Sequence, residues 1–449
     1  MKRSRARSRP LVFALAGARM LADALPGRRR SMPASPRRIL IAHHLLLGDT
    51  LMLTPLLAKC RARWPAADVV MTCPLPFAEL YAGRPYGVRA VAYDPRDVAT
   101  LAPLRAAAPF DLALVPADNR LSWLARALGA QWIVAFGGDS PAYKDWPVDE
   151  LRRYPTTPQA WGDLVAGLVD GPPPAPYRVA DWPAPPAAPA AGPVPADRYC
   201  VLHAGASTLL KQWPAARWRA LGERLAARGY PVVLSAGPGE ERLLDAIDPE
   251  HAWQRHAGTL SLGALWHLLA GAALVVCPDT GIAHLARLTG TPTVALFGPG
   301  SALLSGPGEF WRASPFTAVT IPDFPCRDQR ITMKREVAWI RRCERFPGAG
   351  PGQCLEPRCM LALTETMVWQ AAARQLGIAP DGPAAAQRRN GAGRRFLPGS
   401  APGGRRRYNR GNEQVVRLCA RRRRAVAPRM PGPAAEVAAS RWAIFRWCC

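Results

Sequence analysis

The sequence lacks several signatures by which common nucleotide- and metal-dependent enzymes are identified. No Asp-x-Asp pair occurs in its 449 residues, so the carboxylate pair that usually holds a metal–diphosphate is missing. No Gly-x-Gly-x-x-Gly follows the first predicted strand, and no Walker loop is present. These absences argue against a nicotinamide-dependent oxidoreductase and against a P-loop enzyme. We expect neither a catalytic metal ion nor a cofactor.

Long apolar runs are also missing. No stretch of about 18 apolar residues occurs, so no transmembrane helix is predicted. The apolar stretch 11–20 follows a basic start, but Arg19 interrupts it and it is too short for a convincing secretion signal. The 11 cysteines are therefore expected to be reduced thiols in a cytoplasm.

The chain has a net charge of +26, and most of the excess of basic over acidic residues lies at its two ends. Residues 1–38 carry 11 basic residues and one acid, and residues 380–449 carry 16 arginines and three acids. The body between them is nearly neutral. We predict that 1–36 and 380–449 are disordered basic extensions, whose charge attracts phosphates or anionic lipid loosely. Aromatic residues do not alternate with the basic ones, which argues against specific nucleic-acid binding.

Strands and helices alternate twice along the body. Short buried strands such as "RRILIAHH" and "FDLALVPA" alternate with helical patterns in residues 37–170, and the alternation restarts in residues 198–379. Residues 171–197 are rich in proline and alanine and read as a semi-rigid linker. We predict an α/β protein with two Rossmann-like parallel-sheet domains that face each other across a cleft.

The stretch "CPDTGIAHLARLTGTPTVALFG" (277–298) joins a buried strand to a helix. Ligands of open α/β sheets bind at such strand ends, where helix N–H groups attract anions. Gly281 permits close backbone approach, Thr280 adds a hydroxyl donor, and His284 falls in the first helical turn. Alone, the motif also fits a capping Asp279 with a half-buried His284.

Two further strand ends in the second half carry polar side chains. "HAGASTLLKQWP" (203–214) offers Ser207, Thr208 and Lys211 as phosphate donors, although an ordinary loop with a solvated lysine is equally consistent. "SAGPGEER" (235–242) offers Glu240 or Glu241 as an acceptor for sugar hydroxyls, or merely as helix N-terminal acids.

The first half has one comparable position. In "LLLGDTLMLTP" (45–55), Gly48 makes a turn and Asp49 heads a helix that is expected to face the cleft. A carboxylate there could take a proton from an attacking hydroxyl group. Taken by itself, the residue is better explained as a helix cap.

Three segments together resemble a known family. They are "ILIAHHLLLGDTLMLTPLLAKCRARWPAADV", "HAGASTLLKQWPAARWRAL" and "LVVCPDTGIAHLARLTGTPTVALFG", and in this order they resemble glycosyltransferase family 9, the ADP-heptose:lipopolysaccharide heptosyltransferases. The resemblance covers roughly residues 37–375. It implies a GT-B fold and an inverting, metal-independent transfer of heptose from ADP-heptose to the inner core of lipopolysaccharide.

The resemblance also implies roles for individual residues. Asp49 matches the family's general base, and Lys211 matches the residue that contacts the donor phosphate. Glu241, or its neighbour Glu240, matches a donor-binding acid. The nucleotide-diphosphate loop is matched by Asp279, Thr280, Gly281 and His284. The implied partners are an ADP-heptose donor and a lipid A–Kdo or core-oligosaccharide acceptor, with peripheral contact at the inner face of the inner membrane.

Several alternatives remain open at this point. The enzyme could use another nucleotide sugar, because the 279–284 loop indicates phosphate binding more clearly than it indicates which sugar or base is bound. A polyanion-binding protein that acts through its basic ends is the alternative from a different class. The spacing of the four cysteines in 326–359 is no tidy zinc pattern, so thiols are favoured over a structural metal there.

Overall fold

The computed structural model describes residues 8–24, 30–186, 195 and 198–380. Its framework is two six-stranded sheets in which all neighbouring strands are parallel. The first sheet contains β1 Arg38–Ile41, β2 Asp68–Cys73, β3 Val88–Ala92, β4 Leu112–Val115, β5 Trp132–Phe136 and β6 Glu150–Arg152. The second contains β7 Cys200–His203, β8 Val232–Ala236, β9 Gln254–Ala257, β10 Leu274–Pro278, β11 Thr293–Phe297 and β12 Phe316–Thr320.

Both sheets have the same strand order. The first runs β3-β2-β1-β4-β5-β6 and the second runs β12-β11-β10-β7-β8-β9, which is the Rossmann order in each case. The order reverses between β1 and β4 in the first sheet and between β7 and β10 in the second. Ligands of such sheets bind at the carboxyl ends of the strands beside that reversal. The predicted fold is therefore confirmed, and the topology directs attention to the turns after β1, β7 and β10.

The helices cover the faces of the two sheets. Apolar residues dominate the central strands, so both faces must be shielded from water. One buried cluster includes Ile39 of β1 and Val275 of β10 and therefore continues from one domain into the other. The helices are α1 Arg9–Asp23, α2 Leu47–Leu51, α3 Thr54–Arg63, α4 Leu101–Ala107, α5 Leu121–Ala127, α6 Trp161–Ala166, α7 Ala215–Ala227, α8 Glu241–Ile247, α9 Leu262–Ala270, α10 Gly281–Thr289, α11 Arg358–Leu361 and α12 Glu365–Leu376. None of the helices in the described ranges is long and apolar enough to cross a bilayer.

The prediction of a disordered N-terminal extension is wrong for the part that forms α1. Val12 and Ala16 are buried in the core that the first sheet shares with α5. The Ser8 hydroxyl donates a hydrogen bond of 2.7 Å to the Pro95 carbonyl oxygen. An apolar stripe at helical spacing thus outweighs the basic composition of this segment. Residues 30–36 of the same predicted extension are also described, and the Ala34 carbonyl oxygen accepts a hydrogen bond of 3.3 Å from the Trp64 indole. The predictions of disorder for 1–7, 25–29 and 381–449 lie outside the described residues.

The first part of the predicted linker is packed against both domains. Tyr177 donates a hydrogen bond of 2.6 Å to the Leu288 carbonyl oxygen. Trp182 is buried, stacks on Trp266 and donates from its indole to the Leu80 carbonyl oxygen at 3.1 Å. Residues 187–194, 196 and 197 lie outside the described ranges. This part of the linker therefore helps to hold the two domains in register.

A second connection between the domains follows β12. Residues 322–345, here called the return segment, run from the second domain back to the first and form a short hairpin, β13 Ile331–Thr332 and β14 Arg335–Glu336. The buried Arg335 guanidinium donates to backbone oxygens of the first domain, at 2.6 Å to Ala117 and 2.9 Å to Gly137. Its remaining hydrogen bonds of 2.8 to 2.9 Å go to the carbonyl oxygens of Phe136 and Met333 and to Oδ1 of Asn119.

Arg335→Ala is expected to lower the free energy of unfolding by about 3–5 kcal/mol, because several buried acceptors lose a charged donor at once. Chemical denaturation of the full chain measures the change. Arg330→Ala is the matched control, since Arg330 is an exposed arginine of the same segment. Equal stability of the two variants would mean that the return segment does not hold the domains together.

Candidate active site

The turn after β1 meets the turn after β10 across the gap between the domains. A Cβ atom added to Gly48 would lie 2.8 Å from Cδ2 of His284, and one added to Gly281 would lie 3.0 Å from Cβ of Leu47. The glycines therefore allow the start of α2 and the start of α10 to touch. Asp49, in the first turn of α2, is near enough to Lys211 and Asp279 for their charges to act on its carboxyl group.

Lys211 lies in the turn after β7 and extends to the crevice between the domains. Its ammonium donates to the Asp279 carbonyl oxygen at 2.6 Å and to Asp279 Oδ2 at 3.1 Å. The Asp279 side chain is only 10% exposed, and that of Lys211 is 25% exposed. Asp279 is thus paired with Lys211 instead of capping α10, and it holds the positive charge beside the helix N-terminus.

Polar atoms at the start of α10 lack partners. Within the described ranges, neither the buried Thr280 hydroxyl nor the buried Nδ1 of His284 makes a hydrogen bond. Burial, with the nearby charges of Arg287 and Lys211, lowers the pKa of His284 well below its ordinary value, so its imidazole is neutral. Unsatisfied buried polar groups are costly, and a bound ligand would remove that cost.

The other predicted donor-binding residues lie on neighbouring turns of the second domain. Glu240 accepts backbone hydrogen bonds from Ala206 at 3.0 Å and from Gly237 at 2.7 Å, and so connects the turn after β7 to the turn after β8.

The remaining three predicted donor-binding residues are exposed or half-buried. Glu241 is exposed and accepts a hydrogen bond from the Gly239 backbone. Ser207 is exposed and Thr208 is half-buried, and the Thr208 hydroxyl accepts from the Leu210 backbone at 3.3 Å.

The Asp49 carboxylate is poised to accept a proton. Burial raises its pKa to about 6, which Arg342 and Lys211 partly oppose and Asp279 reinforces. Among the described residues, no side chain or backbone group hydrogen-bonds to this carboxylate. A carboxylate with this pKa is mostly ionised at pH 7 and a better base than an ordinary aspartate.

Asp49→Asn is expected to stabilise the fold at neutral pH. A folded-state pKa of about 6 against 3.8 favours the protonated carboxyl group in the folded protein, so the wild type loses stability as pH rises through this window. The variant should unfold with a free energy higher by up to about 3 kcal/mol above pH 7 and unchanged below about pH 4. Urea denaturation at both pH values measures this, and a difference independent of pH would contradict the assignment.

One further charged group near this crevice is indicated by none of the sequence motifs. Arg342 of the return segment exerts the largest charge effect on the pKa of Asp49, ahead of Lys211. It is distant in sequence from every motif that was predicted to bind the donor or the acceptor, and no local pattern indicates that it lies near Asp49. Only the path of the return segment brings the two residues together.

The four cysteines of residues 326–359 are thiols in this structure. Cys343 Sγ accepts a hydrogen bond from Arg345 at 3.5 Å, and Cys354 Sγ donates to the Glu356 carbonyl oxygen at 3.1 Å. Across the described part of the chain, no three His, Cys, Asp or Glu side chains are grouped so that they could hold a metal ion.

Comparisons with known proteins agree with this architecture. The family model described as glycosyltransferase family 9 (heptosyltransferase) matches residues 105–314. Lipopolysaccharide heptosyltransferase 1 of Pseudomonas aeruginosa is 31% identical over 235 residues, which cover 47% of this chain and 60% of that protein. The chain thus aligns with less than two thirds of this relative's length.

Solved structures resemble the chain over a longer range. A glycosyltransferase of family 9 from Veillonella parvula superposes with a TM-score of 0.57 at 16% identity, covering 77% of this chain and 99% of the other. The Escherichia coli ADP-heptose lipopolysaccharide heptosyltransferase II superposes with a TM-score of 0.54 at 19% identity, covering 76% and 98%. At these identities the likeness concerns the fold.

The two facing sheets have the architecture of GT-B glycosyltransferases. A helix terminus and a paired lysine lie on one side of the crevice, and a lone carboxylate lies on the other. The matched family model and the relatives narrow this class further. Over residues 105–314, a little under half of the chain, the sequence is similar to glycosyltransferase family 9.

Proposed function

We propose that the protein transfers heptose from ADP-heptose to the inner core of lipopolysaccharide, with inversion at the anomeric carbon. The observation that carries the proposal is the contact between α2, which contains Asp49, and α10, which begins just after the Lys211 partner Asp279. A base and an anion-binding site across a narrow crevice suit a direct displacement. The names of the relatives support the choice of heptose and lipopolysaccharide.

In this proposal the acceptor approaches from the side of the first domain. Its hydroxyl oxygen attacks the anomeric carbon of the donor sugar and passes its proton to the Asp49 carboxylate. The bond between that carbon and the diphosphate oxygen breaks with its electron pair on the oxygen, so ADP leaves with added negative charge. Attack from the face opposite the leaving group inverts the anomeric configuration.

The second domain binds the donor and stabilises the leaving group. The free N–H groups at the start of α10 and the Lys211 ammonium supply positive potential where the diphosphate gains charge. Thr280 and neutral His284 have unused polar atoms that can bind phosphate or sugar oxygens. Ser207, Thr208 and Glu240 or Glu241 complete the donor site on the neighbouring turns. No metal ion or cofactor takes part in the proposed steps.

The acceptor also suggests where the protein works. Lipid A–Kdo and the growing core are anionic glycolipids, so we propose a cytoplasmic enzyme with peripheral contact at the inner face of the inner membrane. Basic residues near an anionic leaflet favour such contact. Specific nucleic-acid binding is not part of the proposal.

The function is tested by following ADP release from ADP-heptose with defined lipid A–Kdo and core-oligosaccharide acceptors. Release that depends on the acceptor, with a heptosylated product identified by mass, is the expected result. UDP-glucose and GDP-mannose serve as donor controls. Turnover with either of these and none with ADP-heptose would favour a GT-B transferase that uses another nucleotide sugar.

A further inference from the structure

The return segment is fixed to the second domain close to the donor side of the crevice. Its buried Arg327 donates to the carbonyl oxygens of Gly298 at 2.7 Å and Phe297 at 2.8 Å, at the end of β11. The Cys343 backbone donates to the Pro299 carbonyl oxygen at 2.9 Å. A Cβ atom on Gly300 would collide with the Asp279 carboxylate. Residue 342 is therefore adjacent to a turn that touches Asp279.

The backbone of Arg342 is held firmly at this point. Arg342 and Gln329 exchange two backbone hydrogen bonds of 3.1 and 3.2 Å. The far side of the hairpin is anchored to the first domain by Arg335, as described above. With its backbone fixed between two anchors, Arg342 can adjust only through its side chain.

The Arg342 side chain has unused hydrogen-bonding capacity. Its guanidinium pairs with Glu344 at 3.3 Å, and both side chains are about a third exposed, at 31% and 40%. Its Nε is buried and has no hydrogen-bond partner among the described residues. A half-exposed ion pair is worth little, whereas an unpaired buried donor is costly.

We propose that Arg342 binds an oxyanion of the bound substrate, a phosphate or carboxylate group, beside the reacting atoms in the crevice. This inference rests on the proposed function. A planar guanidinium can grip either kind of group through two parallel hydrogen bonds. The oxyanion belongs either to the donor diphosphate or to the acidic acceptor, and the chemistry of recognition is the same for both.

The charge of Arg342 also bears on Asp49. Its guanidinium lowers the pKa of that carboxyl group against the effect of burial. When an oxyanion pairs with Arg342, the guanidinium charge lowers the pKa of Asp49 less, and that pKa rises further. Substrate binding would thereby make Asp49 a stronger base at the moment when it is needed.

The experiment compares Arg342→Gln and Arg342→Lys with Arg341→Gln, an exposed neighbouring arginine that contacts only local carbonyl oxygens. Calorimetry measures the Kd for ADP, and steady-state kinetics measure KM for ADP-heptose and for the acceptor. Loss of a charged hydrogen-bond donor is expected to weaken binding about 10- to 100-fold in Arg342→Gln. Arg342→Lys should recover part of the loss, and Arg341→Gln should match the wild type.

The pattern of constants identifies the oxyanion. A raised Kd for ADP indicates the donor diphosphate, whereas a raised acceptor KM with unchanged ADP binding indicates the acceptor. Constants within about threefold of wild type in a folded, active Arg342→Gln protein would overturn the inference. If the wild type does not use ADP-heptose, the proposed function fails separately, and the same constants are then measured with the nucleotide sugar that the wild type does use.

Discussion

Asp49→Asn is expected to lower kcat for heptose transfer by about 10²- to 10⁴-fold, the range typical of losing a general base. The amide keeps the shape of the side chain but cannot take the proton of the acceptor hydroxyl. Because Asp49 lies on the first domain, opposite the donor turn, the Kd for ADP should change little. Steady-state kinetics and calorimetry on the same preparation measure the two effects.

Asp68→Asn is a suitable control for this variant. Asp68 lies on the first domain, its side chain is 48% exposed, and it pairs only with Arg89 at 3.2 Å. It should leave both kcat and ADP binding unchanged. A variant at position 49 that lost ADP affinity and kept kcat would assign this residue to donor binding and remove the proposed base.

Lys211→Met is expected to lower kcat by about 10²- to 10³-fold, similar to the loss of an oxyanion-binding donor. The ammonium stabilises charge that develops on the leaving diphosphate, so its effect is larger in the transition state than in the bound substrate. ADP affinity should also fall, by about tenfold. Transfer kinetics and calorimetry with ADP measure these two losses.

The pairing of Lys211 with Asp279 complicates this variant, because removing the lysine leaves a buried carboxylate alone. The double variant Lys211→Met/Asp279→Asn removes both charges and should regain much of the lost stability. It should not regain activity. Recovery of activity together with stability would show that Lys211 acts only by supporting the fold.

The central strands could be predicted from the sequence because their apolar runs are short, continuous and bounded by turn residues. β1 and β10 are examples, and the turns that follow them supply Asp49 and the 279–284 loop. The edge strands β6 and β9 were not predicted. They are short and mostly half-exposed, so they lack the apolar run that marks a buried strand.

The roles of long-range side chains could not be predicted. Arg335 and Arg342 belong to a segment with no periodicity, and their partners lie in the first domain or in distant turns. The pairing of Lys211 with Asp279 likewise joins two strand ends far apart in the sequence. The local sequence pattern predicts where a strand ends, but it does not predict which strand ends lie next to each other in the fold.

The N-terminal helix α1 was not predicted because of its basic composition. Averaged over residues 1–38, the excess of basic residues indicates a solvated extension. The spacing of Val12 and Ala16 on one face carries the opposite information, and those side chains are buried against the first domain. Periodicity within a charged segment therefore deserves more weight than its net charge.

The most direct test is a crystal structure of the protein with an unreactive ADP-heptose analogue. The diphosphate is expected within hydrogen-bonding distance of Lys211 and the first N–H groups of α10. The anomeric carbon should face Asp49 on the side opposite the leaving oxygen. A diphosphate bound away from α10, or a sugar whose reacting face is turned from Asp49, would contradict the proposed mechanism.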